Sequence, residues 1–292
     1  MTGTHEAWDA QLTAHLDDLR IDLAAGIEPA IPAITASLKR YGFALLSGLS
    51  PDNARDTAAS QLESLASRLG RIVPQSPRGE TVEDVRDFSD TDASDNRGYR
   101  SRGELSPHSD PSTMIALYCL HRARSGGESY LVNVRAIHDR IAATDAGLLA
   151  ELYRGFPFWH VEGQHGQAEA APAPEKRPIL AERDGLVSCV YYRPFVEMAA
   201  AARGESLTDR QLAALDQFDA FATSPELALR FQLEPGQTML LHNRTVLHAR
   251  TDYEDWPEPE RRRHLIRVWI DAPELLPAAS FHELGDLFAP KR

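Results

Sequence analysis

Three side chains of this sequence have the types and spacing to hold a metal ion: His108, Asp110 and, far downstream, His248. Two imidazoles and one carboxylate can occupy one face of an ion and leave its other positions open, the donor set favoured by non-heme Fe(II) oxygenases. Arg263 follows, and its planar fork suits an organic diacid held beside the metal. The combination indicates a class of reaction but names no substrate.

The tripeptide His-x-Asp is weak by itself, since His15-Leu16-Asp17 repeats it. His15 lies in a stretch that reads as helix, where positions i and i+2 point to different faces. His108 and Asp110 lie between Pro107 and Pro111 and lead into a strand. Extended backbone projects i and i+2 to the same side, so one ion can take both. His160-Val161-Glu162, between an aromatic stretch and the loop Gly163 to Gly166, is not expected to bind metal. His248 has the best context of the late histidines, in the strand–turn–strand Leu241-His-Asn-Arg-Thr-Val-Leu-His-Ala-Arg, whereas His242 is expected to be a structural histidine at the turn. His121, His138, His264 and His282 have no partner donor nearby in sequence and are expected at the surface or in the core.

Period-two alternation in Arg263-His-Leu-Ile-Arg-Val-Trp-Ile-Asp places Arg263, Leu265, Arg267 and Trp269 on one face. At about 3.3 Å per residue the two arginines stand roughly 13 Å apart and cannot both grip one small carboxylate. Either there are two anion sites, one for a diacid and one nearer the metal mouth, or both arginines pair with structural acids. A buried arginine needs a partner of some kind.

The elements that must position these residues are mostly strands. The first 70 residues read as helical around one strand, Tyr41-Gly-Phe-Ala-Leu-Leu-Ser-Gly, closed by Ser50-Pro51. A helix is expected from Ala54 to Leu69, with Ala58, Leu62, Leu65, Ala66 and Leu69 on one side and Gly70 as its C-terminal stop. Strands are expected at Thr113 to Leu120, Ser129 to Val134, Pro178 to Ala181, Leu186 to Tyr192, Leu229 to Leu233, Gln237 to Leu241, Thr245 to Arg250 and Leu265 to Asp271. Among them lies one clear helix, opened by a Thr208/Gln211 capping box. Many short strands with Pro-Gly turns such as Pro235-Gly236 favour a mainly β chain with helical additions, closed as two facing sheets.

No internal repeat or linker divides the chain, so a single domain is expected over 1–292. Residues 1–75 form a helical and strand portion packed on the core, and 76–107 a polar loop turned toward the site. That loop holds Asp84, Asp87, Asp90, Asp92 and Asp95, at spacings that do not fit an EF-hand. Hydrophobic residues make up 42% and charged ones 25%, as in ordinary globular proteins. A net charge of −12 argues against nucleic acid and anionic membranes as partners, and the run Arg261-Arg262-Arg263 is too short to reverse it. No apolar stretch is long enough to span a bilayer and no secretion signal is visible. Cys119 and Cys189 lie in apolar runs, where buried thiols are the default, and a cytoplasmic location is expected. Oligomeric state is not legible.

With these residues in hand, the chain resembles the TauD/TfdA family of Fe(II)- and 2-oxoglutarate-dependent dioxygenases. The segments that carry the likeness, in order, are Gly42-Phe-Ala-Leu-Leu-Ser-Gly, Leu105-Ser-Pro-His-Ser-Asp, Ser125-Gly-Gly-Glu-Ser, Leu240-Leu-His-Asn-Arg-Thr-Val-Leu-His-Ala-Arg-Thr and Arg262-Arg-His-Leu-Ile-Arg-Val-Trp. The resemblance implies a double-stranded β-helix, or jelly roll. It implies iron on His108, Asp110 and His248, and 2-oxoglutarate with its distal carboxylate on Arg263 and the hydroxyl of Ser129. Arg267 would reach toward the substrate or second the cosubstrate, and Glu104 would line the substrate pocket. The implied reaction consumes O2 and 2-oxoglutarate, gives succinate and CO2, and hydroxylates a small molecule, an amino acid or small carboxylic acid being favoured. Desaturation or ring closure stays open, whereas Asp110 fills the position a halide would need. The rivals are a zinc hydrolase or isomerase on the same donors and a non-catalytic binding jelly roll.

Overall fold

The computed structural model describes residues 6–50, 54–76, 79–89, 98–158 and 176–276. A 3-10 turn, Ala10–His15, precedes β1 (Arg20–Asp22), α1 (Ile27–Tyr41), β2 (Phe43–Ser47), α2 (Arg55–Leu69), β3 (Arg71–Val73) and β4 (Val82–Val85). Next come β5 (Leu105–His108), β6 (Met114–His121), β7 (Ser125–Gly126) and β8 (Ser129–Asn133), then α3 (Val134–Thr144) and α4 (Ala146–Leu152). β9 (Leu180–Arg183), β10 (Leu186–Cys189), α5 (Arg193–Ala202) and α6 (Asp209–Ala222) form the next stretch. The chain closes with β11 (Ala228–Phe231), β12 (Gln237–His242), β13 (Val246–Arg250), β14 (Tyr253–Glu254) and β15 (His264–Asp271).

These strands make the jelly roll: a seven-stranded sheet in the order β1-β2-β12-β6-β15-β3, with β4 also on β15, faces a four-stranded sheet in the order β11-β8-β13-β5. Side-chain alternation decides which residues lie between the sheets. On β6, Ile115, Leu117 and Cys119 point inward to meet Leu131, Leu229 and Val246 of the small sheet. Their neighbours Ala116, Tyr118 and Leu120 point outward against α1 and α2. The small sheet's outer residues, Tyr130, Val132, Leu247 and Ala249, pack under α3 and α6 through Ile137, Ile141, Leu215 and Phe218. The inward face of β15 carries Leu265 and Trp269, and its outward face Ile266, Val268 and Ile270, as the alternation predicts.

α6 opens on the expected capping box, with both Thr208–Gln211 bonds present. α2 ends at Gly70, but for a different reason than expected. Its φ of 175° is extended rather than left-handed. A Cβ there would lie 2.5 Å from the main-chain oxygen of Asp271, so glycine is required by the close approach of β15. Three more helices accompany α6 between the strands. α3 starts at the Asn133 N-cap and buries Val134, Ile137 and Ile141, a helical spacing that the apolar run at the end of β8 conceals. The polar segment 76–107 is not all loop, since Val82–Val85 forms β4 and pairs with Leu265 to Val268 of β15. Its charged residues hide the alternation, as is common at a sheet edge.

Candidate metal centre

β5 and β13 pair so that His108 lies directly opposite His248. Their imidazole centroids are 4.2 Å apart. Asp110 stands just past the end of β5, with Oδ1 3.8 Å from Nε2 of His108 and Oδ2 3.9 Å from Nε2 of His248. Among the described residues these three form the group able to share an ion, all donor atoms lying within 4.8 Å of one another. Two donors about 2.1 Å from one ion lie at most about 4.2 Å apart, so both measured separations suit shared ligation.

The protonation states fit as well. Burial lowers the pKa of both histidines, and for His248 burial together with His108 brings it to about 3. Burial alone would raise Asp110. Arg267 above all, then the two histidines and the Trp269 N–H, hold it at about 2. Neutral imidazoles and an ionised carboxylate are what a metal needs.

His108 and Asp110 are oriented by neighbours. Nδ1 of His108 lies 2.9 Å from the carbonyl oxygen of Ser106. A carbonyl can only accept, so Nδ1 carries the proton and Nε2 presents its lone pair. Oδ2 of Asp110 accepts from Nη1 of Arg267 and from the indole N–H of Trp269, both at 3.0 Å. The Asp110 amide donates to Oδ1 of Asn243 at 3.1 Å, and its carbonyl accepts from Nδ2 of Asn243 at 2.5 Å and Nη1 of Arg244 at 3.0 Å. Asp110 is thereby held through both its main chain and its side chain. Tyr192 lies 5.6 Å from His108, with Phe195 4.8 Å behind it, as an aromatic wall.

The two arginines of β15 and its entrance differ in their surroundings. Arg267 is buried between sheets, and its Nε donates to Oε1 of Gln75 at 2.7 Å while Nη1 takes Asp110. Arg267, expected to reach toward the substrate or to second the cosubstrate, is bonded here to Asp110. Arg263 is equally buried, yet no acid among the described residues forms an ion pair with its guanidinium, which lies 5.2 Å from the Tyr253 ring. Gly127, at φ +71°, lets the Gly-Gly segment pass against it: a Cβ there would sit 3.4 Å from Cδ and Nε of Arg263. Ser129 opens β8, buried on the same side of the small sheet as Leu131. Glu104, expected to line the substrate pocket, is exposed and accepts from the hydroxyl of Tyr130, a ring of the small sheet's outer cluster, at 3.2 Å.

The decoys fall away. His15 is exposed beside Asp18, and His242 is wholly buried at the turn, with Nδ1 2.7 Å from the Thr245 hydroxyl. His264 does have a partner, Asp84 at 2.9 Å, on the newly found β4. His160, Glu162 and His282 lie outside the described residues. Both cysteines are buried and unpaired, and burial pushes Cys119 up to about 12. No helix among the described residues is long and apolar enough to cross a membrane. Gln75, Asn243, Arg244, Arg250 and Tyr253 had no assigned role. Arg250 alone carried a signal, two residues beyond His248 on the same strand.

A jelly roll with two histidines and an aspartate between its sheets defines a class of metal-dependent oxygenase. The chain belongs to the taurine catabolism dioxygenase TauD, TfdA family, whose profile matches residues 8–269, and it is therefore a dioxygenase. FR-33289 synthase of Streptomyces rubellomurinus is 30% identical over 238 residues, 79% of this chain and 69% of the relative. A uridine-5'-phosphate dioxygenase of a Streptomyces species is 26% identical over 254 residues, 81% of this chain and 88% of the relative. The fold is shared with asparagine oxygenase solved with Fe(II), 2S,3S-3-hydroxyasparagine and succinate, at a TM-score of 0.64 and 18% identity over 91% of this chain and 80% of that one. It is shared also with the non-heme iron oxygenase OrfP in complex with Fe and alpha-ketoglutaric acid, at 0.62 and 16%, over 90% and 85%.

Proposed function

We propose that this dioxygenase binds Fe(II) through His108, Asp110 and His248, holds 2-oxoglutarate by its distal carboxylate on Arg263 and Ser129, and hydroxylates an amino acid or small carboxylic acid. The observation that carries the reading is the pairing of a convergent donor set with a buried arginine that forms no ion pair with an acid among the described residues. A zinc hydrolase on the same donors would leave Arg263 and the Gly-Gly wall without a task.

Iron bound there supplies the O2 activation that couples oxidative decarboxylation of 2-oxoglutarate, to succinate and CO2, to oxidation of a substrate C–H bond. The protein's part is positional. Arg267 and Trp269 engage Oδ2 of Asp110 and hold its carboxylate against the histidines. Asn243 and Arg244 fix the main chain beneath it. Arg263 offers a charge-assisted fork that orients the cosubstrate, and Tyr192 and Phe195 screen the His108 side from water. The amino-acid class is supported by asparagine oxygenase with its hydroxyasparagine and by OrfP with hydroxyarginine. Two unpaired buried cysteines fit a reducing compartment, the cytoplasm.

Anaerobic addition of Fe(II) and 2-oxoglutarate is expected to give a weak visible charge-transfer band. Aerobic incubation with a panel of amino acids and small acids is expected to yield succinate with one class. Tight Zn2+ binding with no band and no succinate from any compound would reject the proposal.

A further inference from the structure

Arg250 follows His248 by two positions on β13 and so shares its inward face. It is 5% exposed. Its Nη2 donates to the carbonyl oxygens of Gly98, Ser101 and Gly103 at 3.3, 3.1 and 2.6 Å. Its Nη1 is shut off from solvent and has no hydrogen-bond partner among the described residues. The Arg250 guanidinium lies 4.6 Å from the Tyr253 ring, the same ring that Arg263 approaches at 5.2 Å. Ser129 is the direct cross-strand partner of Arg250. No acidic side chain among the described residues forms an ion pair with either arginine.

Two desolvated cations about one tyrosine are expensive without an anion. Arg267 shows the contrast, since its guanidinium has Asp110. We propose that Arg250 is the second cation of the cosubstrate site: its Nη1 contacts the distal carboxylate alongside Arg263 and Ser129, while its Nη2 ties that site to residues 98–103. Tyr99 of that segment lies 4.8 Å from the Arg267 guanidinium, so the tie runs on toward the metal ligand. The inference rests on Arg263 as the cosubstrate arginine and adds a residue, and a coupling, to it.

The test uses glutarate on metal-free protein and 2-oxoglutarate on the anaerobic Fe(II) form, both by titration. Arg250→Gln is expected to weaken both diacids about ten- to a hundredfold while Fe(II) affinity changes less than about twofold. Arg250→Lys keeps the charge but cannot span both partners, and about a fivefold loss is expected. In the unaltered protein, glutarate is expected to slow amide hydrogen exchange at 98–103, a readout that needs no variant. Unchanged diacid affinity in either Arg250 variant overturns the proposal, as does unchanged exchange at 98–103. If Arg263→Gln also binds both diacids normally, the cosubstrate reading itself has failed, which is a separate result.

Discussion

Arg263 and Arg267 stand four residues apart on one face, chemically identical and equally buried, yet their surroundings differ. Arg267 has Asp110 on Nη1 and Gln75 on Nε, so its charge is neutralised within the protein. Arg263 has an aromatic ring and a second arginine for company, and its burial is uncompensated by any acid pair among the described residues. Arg267 braces a proposed metal ligand, and Arg263 is the residue we propose for the cosubstrate anion. A buried charge reveals its task by what neutralises it.

The largest effect is expected from removing the centre that both arginines are proposed to serve. His108→Ala is expected to reduce iron-dependent succinate formation to background, and retained turnover would take His108 out of the ligand set. Arg267→Met leaves a buried carboxylate unpaired, with an expected loss of about 3–5 kcal/mol of stability. Fe(II) affinity should fall about ten- to a hundredfold, read by thermal melting and by metal titration. Arg263→Ala is expected to raise the 2-oxoglutarate requirement by about 1.5–3 kcal/mol of binding, with metal affinity unchanged. Should Arg267→Met impair the diacid and Arg263→Ala the metal, the two roles are reversed. Trp269→Phe keeps the ring and removes one of two donors on Oδ2, so a loss of about 1 kcal/mol in metal affinity is expected. An unchanged metal titration would mean that Arg267 alone positions the carboxylate.

The strands that carry chemistry were largely legible because alternation writes the inward face into the sequence. Arg263, Leu265, Arg267 and Trp269 could be grouped on that basis, and His108 with Asp110 preferred over His15 with Asp17. β4 was not legible, because Glu83 and Asp84 interrupt the pattern that its pairing with β15 makes sense of. Gly70 was recognised as a helix end but not as the point where β15 passes too close for a side chain. Asn243 and Arg244 stood in a quoted motif without a role, since their partner Asp110 lies far back along the chain. Glu104 is near His108 in sequence, but its hydrogen bond to the Tyr130 hydroxyl could not be read from that position.

Residue type and local periodicity settled which donors exist and which way each strand presents them, because rotamer direction along a strand is a matter of neighbouring residues. Which cation meets which anion was settled only by the packing of the two sheets. Arg267 reaches Gln75 from 192 positions away and Asp110 from 157, and contacts at such separations depend on the closed fold, where desolvation makes each pairing, or its absence, count.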